Sequence, residues 1–411
     1  MHWMRDWGMP FALFICEASG ATLLDVDGHR YVDFCLGDTG AMFGHSPPPV
    51  AQAIARQATR GLTTMLPSHE SADVAAALAE VFGLPWWQIT LTATDANRAV
   101  LRHARALTGR SKVLVFNHCY HGTVDEALVV AGEGNRARPR PGLIGSVFDV
   151  SDSVVVEFND VAALAAALAG EDVACVLAEP VMTNAGMVLP QPGYLEALRE
   201  SCTRHGTLLI MDETHTLAAA RGGYARRHGI AADFLVCGKA VAGGVPCGVF
   251  GFSYAVAERM REFDRRREPG HSGLGTTLAA NPLSLAALLA CLREVMTPAA
   301  YQHMEQLAAD LARRMAAALA ARALPWHLAR SGARLEFGSG PPPLNGTQSL
   351  AQADPALESA IHLYLLNRGF VMTPFHNMML ISPATTRTQV DGFMKVFEGC
   401  LQEFQARMVA R

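Results

Sequence analysis

Residues 207–244, TLLIMDETHTLAAARGGYARRHGIAADFLVCGKAVAGG, contain two short apolar runs, each ending in a residue with chemistry to offer. The first, 207–211, leads directly into Asp212-Glu213; the second, 234–237, leads into Gly238-Lys239, with Gly243-Gly244 and Pro246 close behind. Runs of the same kind occur at 89–92, 112–116 and 173–178, separated by helical periodicity at 96–106, 161–168 and 193–205. Strands this short and this apolar, alternating with helices, predict an α/β fold with a mainly parallel sheet covered on both faces. Ligands of such sheets sit outside the carboxyl ends of the strands. Asp212 and Lys239 are therefore expected at one crevice.

Outside this region the pattern changes. Residues 21–34 read as two strands around the turn Asp27-Gly28, a strong hairpin signal. Helices are expected at 50–58, just after a Pro-Pro-Pro run, at 72–82, at 304–321 and from 389 to about 406, with strands at 333–337 and 378–382. The segment 338–348, with a second Pro-Pro-Pro run and an Asn-Gly, reads as a surface loop.

The chain has 411 residues, more than one ordinary compact domain holds. A large domain over 50–298 and a smaller α+β domain built from 1–49 and 299–411 is the expected division. Half the residues are hydrophobic, 18% are charged and the net charge is -4, which gives no footprint for nucleic acid. Nine cysteines without a C-x-x-C pair or a His/Cys cluster at zinc spacing argue against a structural metal or a disulfide framework, and for a reducing compartment. The apolar patch 10–16 lies between Asp6 and Glu17 and is too short to span a bilayer. A soluble, cytoplasmic protein without a signal peptide or membrane contact is expected.

A lone Asp-Glu or Gly-Lys is ordinarily a surface turn; at the ends of consecutive strands the two acquire another meaning. A partly desolvated lysine loses its proton more easily and suits imine chemistry. A buried carboxylate suits a cationic heterocycle, through a charge-assisted hydrogen bond of roughly 1.5–3 kcal/mol. Thr92-Ala93-Thr94 falls between a strand and a helix beginning near Asp95, where free backbone N–H groups and the helix dipole make an anion site.

In order along the chain stand DVDGHRYVDF (25–34), Gly44-His45, TATDAN (92–97), ALTGR (106–110), Tyr120-His121-Gly122, AEPV (178–181), Asp212-Glu213, GKxxxGG around Lys239 and GTTxxxNP (275–282). This succession resembles the class III aminotransferases, fold-type I pyridoxal phosphate enzymes whose family also holds glutamate-1-semialdehyde aminomutase. The segment EPVMTNAGMVLPQPGYLEALR (179–199) is closest to the aminomutase-like branch.

The resemblance implies a seven-stranded, mainly parallel large domain with a smaller domain, and pyridoxal 5'-phosphate as cofactor. It makes Lys239 the residue of the internal aldimine and Asp212 the partner of the ring nitrogen. Ala93 and Thr94 match the phosphate donors and Tyr120 the aromatic that stacks on the ring, with His121, Glu179 and Thr214 also in cofactor-binding positions. Thr276 matches a residue that reaches the phosphate of the neighbouring subunit, which implies a homodimer. The expected activity is transamination between an amine or amino acid and a carbonyl acceptor. An aminomutase, racemase or ammonia-lyase would share these residues, and a non-catalytic pyridoxal phosphate-binding protein is the alternative of another class.

The chain also departs from the pattern. Ala93 replaces a glycine and Asp95 a glutamate in the phosphate loop, and Thr214-His215 follows Asp212-Glu213 where valine is common. Ala219 stands where an arginine is frequent, and the tail strand HNMMLISPATT (376–386) has no arginine before Arg387. Arg334 is then the preferred candidate for an anionic substrate group, and His215 a second substrate-binding candidate. Trp3 and Trp7 would line a pocket entrance or pack on a partner subunit.

Overall fold

The computed structural model describes residues 12–133, 136–145 and 149–409, so Trp3 and Trp7 lie outside the described residues. Its centre is a seven-stranded sheet in the order Trp86–Thr90, Gly248–Phe252, Phe234–Cys237, Leu208–Asp212, Val173–Ala178, Lys112–Phe116, Ser153–Val156. The last five pair in parallel, and Gly248–Phe252 runs antiparallel to both its neighbours. Val173–Ala178 and Leu208–Asp212 are buried at every position, which explains why they read as unbroken apolar runs rather than alternating ones.

Helix Ala93–Thr108 crosses the middle strands, burying Ala96, Ala99, Val100, Leu101 and Ala104 on one stripe. Its start is set by Thr92, whose Oγ1 accepts from the N–H of Asp95 at 3.2 Å, an N-cap that ends the preceding strand. The strand expected at 89–92 therefore lies earlier, at Trp86–Thr90. Two strands of this sheet escaped the sequence reading altogether. Ser153–Val156 is a short edge, and Gly248–Phe252 carries a glycine because a Cβ at Gly251 would sit 2.6 Å from the Trp87 ring.

The expected hairpin is present as Thr22–Asp25 and Arg30–Asp33. The Asp25 carboxylate closes its turn, accepting from the N–H groups of Asp27 and His29 and from the Tyr31 hydroxyl at 2.8–3.0 Å. Phe370–Val371 joins the same four-stranded sheet, parallel to Arg30–Asp33, so both ends of the chain meet there. A three-stranded sheet, Trp326–Ser331, Arg334–Ser339 and Met378–Leu380, lies beside it, tied by the Leu380 N–H to Phe34 C=O bond of 2.8 Å.

Helix Pro298–Ala321 buries Tyr301, Met304, Leu307, Ala308, Leu311 and Met315 at helical spacing. They join Phe34, Phe337, Phe393 and Phe397 in one core, where each large side chain stabilises the fold by roughly 1.5–3 kcal/mol. The loop expected over 338–348 ends early, because Asn345 caps a short helix, Gly346–Gln352, by accepting from the Gln348 N–H at 2.9 Å. Among the described residues no single helix is long and apolar enough to cross a membrane.

Candidate active site

A cavity of about 700 Å³ opens at the carboxyl ends of the sheet strands. Asp212, the last residue of its strand, forms part of its wall and is 4% exposed. Its carboxylate accepts from Asn97 Nδ2 and His121 Nδ1 on Oδ2, both at 2.9 Å, and from the Thr214 N–H on Oδ1 at 3.0 Å. Burial pushes this carboxyl up, but the contacts to His121, Thr214 and Asn97 outweigh it and hold Asp212 below the usual carboxylate range. His121 is the converse case. Burial pushes it down, yet Cys119 and Asp212 hold it well above the ordinary histidine value.

The two adjacent acids part company at the strand end. Glu213 turns into the protein, where it accepts from the N–H groups of Tyr224 and Ala225 at 2.8 and 2.6 Å and from the Thr216 hydroxyl. Burial raises its carboxyl to about 7 despite those donors. Glu213 thus caps the short helix Gly223–Arg227, and Gly223 is obligatory there, since a Cβ would fall 2.5 Å from Glu213 Cδ.

Lys239 opens the turn after the next strand in a left-handed conformation, φ +48°. The glycine before it is required by contact: a Cβ at Gly238 would be 2.8 Å from that of Ala93. The lysine turn and the helix start are thereby pressed together. Nζ of Lys239 lies 2.9 Å from Asp38 Oδ2 and 2.9 Å from His215 Nε2. Asp38 belongs to a run of four left-handed residues, Leu36 at +46°, Gly37 at +59°, Asp38 at +49° and Thr39 at +78°. For a residue with a Cβ that conformation costs on the order of 1–2 kcal/mol, so this loop stores strain beside the lysine.

Ala93 and Thr94 line the cavity at the first turn of their helix, along with Tyr120, His121, Gly122 and Thr214. Ala93 takes a helical conformation, which is how a Cβ is accommodated where a glycine is usual. Gly122 passes so close to Thr94 that a Cβ would sit 2.1 Å from its Oγ1. Two buried polar atoms of lining residues, His121 Nε2 and Thr214 Oγ1, have no protein partner.

Three expected residues stand apart from the cavity wall. Glu179 is buried behind it, with Oε2 accepting from the Thr183 N–H at 3.2 Å; burial pushes its carboxyl up, partly offset by His121. Thr276 lies in a separate hollow of about 780 Å³ beside Met65 and Leu66, which are 78% and 75% exposed. Arg334 corrects the sequence reading most. It is 1% exposed and does not line the cavity, because its guanidinium is turned onto Thr183 C=O, Thr39 Oγ1 and His215 Nδ1. His215 does line it. Asp38, Thr39 and Glu336 were not anticipated: Asp38 and Thr39 come from an irregular segment where no periodicity flags them, and Glu336 lies on the middle strand of the three-stranded sheet, where an acid reads as one more strand residue. Asn97 stood inside a quoted motif without being assigned a role.

The aminotransferase class-III family model matches residues 4–398. The chain belongs to the class III aminotransferase family. It is 33% identical over 369 residues to glutamate-1-semialdehyde 2,1-aminomutase of Myxococcus xanthus, spanning 88% of this chain and 84% of the relative. Among solved structures it is similar to a glutamate-1-semialdehyde-aminomutase from Pseudomonas aeruginosa PAO1 in complex with PMP, with 49% identity, TM-score 0.94 and coverage of 98% and 90% of the two chains. An omega-transaminase from Sphaerobacter thermophilus superposes with TM-score 0.89 at 27% identity, covering 98% and 93%. This class III enzyme thus has the fold-type I architecture that the family resemblance implied.

Proposed function

We propose that this family member binds pyridoxal 5'-phosphate in the 700 Å³ cavity and moves an amino group between an amine and a carbonyl acceptor. The observation that carries the reading is the pairing of Lys239 and the anionic Asp212 at consecutive strand ends on one cavity, among buried donors that lack protein partners. The donor set fits the group. The first helical turn would offer the N–H groups of Ala93 and Thr94 to a phosphate, Asp212 would hold a protonated ring nitrogen, Tyr120 would supply a ring face, and Thr214 Oγ1 and His121 Nε2 have no protein partner that would compete.

Bound there, the cofactor supplies an electrophilic carbonyl carbon and an electron-withdrawing ring. The protein's own contribution is electrostatic and positional. Asp212, fixed by three donors, presents a charge that needs no reorganisation. His121 carries the compensating proton on the far side of that carboxylate. Among the described residues Lys239 carries the one side-chain amine on the cavity wall, and it serves as the base and acid that moves the proton at the substrate carbon.

Thr276 reaches a phosphate only from a second copy of the chain, and the exposed Met65 and Leu66 beside it favour a homodimer with shared sites. All nine cysteines are unpaired and eight are buried, which favours a reducing, cytoplasmic setting.

A second reading, an intramolecular aminomutase, is favoured by the aminomutases among the relatives. Against glutamate-1-semialdehyde itself, whose carboxylate needs a cationic partner, the described cavity lining contains no arginine. Turnover of a panel of amines with and without a keto-acid acceptor separates the two. Transamination requires the acceptor; product formed in its absence from a single substrate favours the aminomutase.

A further inference from the structure

Behind Lys239 lies a chain of polar contacts that amino-group transfer does not by itself require. His215 Nε2 is 2.9 Å from Lys239 Nζ, while on the other edge of the ring Nδ1 meets Thr39 Oγ1 at 3.0 Å and Arg334 Nη1 at 3.2 Å. Arg334 is itself anchored. Its Nη2 donates to Thr183 C=O at 3.1 Å and lies 3.8 Å from the Glu336 carboxylate, which also meets His376 Nδ1 at 3.1 Å.

A guanidinium donates hydrogen bonds and accepts none. The nitrogen it faces, Nδ1, must offer a lone pair, so the single proton of a neutral imidazole sits on Nε2 and points at Nζ. A second ring proton is opposed from every side. Burial, then the positive charge gathered around the ring, with Arg334 its permanent member, holds His215 well below its ordinary value; Nζ can accept from Nε2–H only as the uncharged amine, the form that does proton transfer. Across from the imidazole, Asp38 Oδ2 accepts from Nζ at 2.9 Å. The amine is therefore caught between one donor and one acceptor.

We propose that His215 is a positioning residue for Lys239: a neutral imidazole whose tautomer is fixed by Arg334, and which with Asp38 cradles the lysine amine whenever it is not bonded to cofactor. The inference rests on the reading of Lys239 as the reactive amine. A released lysine has a flexible four-carbon stem, and wandering from the reacting carbon would cost rate. Two fixed contacts 2.9 Å from Nζ remove that search. Three residues of the assembly, Asp38, Thr39 and Lys239, hold left-handed backbone conformations, as expected where local strain is retained for function.

The test begins with the wild-type full-length chain, cofactor-free and reconstituted. Long-range nitrogen–proton NMR of labelled histidine, with the His215 signal assigned by its loss in His215→Gln, reports the tautomer. The expected result is a neutral, Nε2-protonated ring at neutral pH, which becomes a tautomer mixture in Arg334→Gln. A wild-type ring protonated on Nδ1 or on both nitrogens would overturn the proposal.

Kinetics supplies the second arm. His215→Gln, which keeps a side-chain N–H, is expected to retain most of kcat, whereas His215→Val loses on the order of tenfold to a hundredfold in kcat with little change in KM. Equal kcat in His215→Val and wild type, or a change confined to KM, would instead make His215 a packing or substrate contact. Borohydride trapping of cofactor on Lys239 is run alongside, so that failure of the cofactor reading is seen separately from failure of the cradle.

Discussion

The two key residues of the cavity end neighbouring strands, yet they are held in opposite ways. Asp212 closes a regular strand and takes three donors, a helix asparagine, a buried loop imidazole and the backbone N–H of Thr214, all near ideal hydrogen-bond length. Lys239 is held by a left-handed turn of its own, by Asp38 from a second left-handed run at residues 36–39, and by His215. A carboxylate that must stay charged in one place is suited to a rigid mount. An amine that must leave and return is suited to contacts that a loop can supply and release.

Four substitutions sharpen that contrast, taken from the largest expected effect to the smallest. Lys239→Ala removes the amine itself and is expected to lower turnover by roughly 10²–10⁴ or more, with near-native thermal stability because the side chain is partly exposed. Asp212→Asn keeps the shape and loses the charge. Turnover is expected to fall on the order of a hundredfold, in line with loss of a charge-assisted hydrogen bond of about 1.5–3 kcal/mol, and cofactor affinity to fall with it.

His121→Gln tests the mount through pH. His121 is raised in the folded state, so its contribution is complete below about 6.5 and lost as pH climbs through the raised value. Asp212 is lowered, so its contribution is complete above about 3.9 and lost as pH falls toward the lowered value. The pair should therefore stabilise most in mildly acidic solution. The difference in unfolding free energy between wild type and His121→Gln is expected to be roughly 1–3 kcal/mol near that range, shrinking in strong alkali; a difference that grows with pH would contradict the assignment.

Asp38→Gly probes the strained side. It relieves a left-handed residue while deleting a partly exposed ion pair, so stability is expected to stay level or rise by up to about 1 kcal/mol. Turnover should nevertheless fall, by about tenfold. Stability and rate moving in opposite directions is the mark of strain kept for chemistry; both falling together would make the loop a structural brace.

The same contrast governs what could be read in advance. Asp212 itself was legible because it ends a strand whose apolar run is set by burial in the central sheet. The lysine itself was legible from the glycines pressed around it. Its surroundings were not: Asp38 and Thr39 project from a loop whose shape depends on backbone angles, and Arg334, which meets His215 behind the lysine, arrives from a strand more than 90 residues further on. An arginine with no visible partner in the sequence invites a substrate anion. In the folded chain His215, Thr39 and Thr183 already occupy it. The unread strand Gly248–Phe252 failed for a similar reason, since its glycine serves Trp87 on the adjacent strand rather than any local preference.

Only three lysines, Lys112, Lys239 and Lys395, occur in the chain, which makes the decisive measurement simple. The full-length protein is incubated with pyridoxal 5'-phosphate, reduced with borohydride, digested and mapped by mass spectrometry. The account predicts one stoichiometric modification, on the peptide carrying Lys239, reduced when a substrate amine is added before borohydride. Modification of Lys112 or Lys395 instead, or none at saturating cofactor, would contradict it.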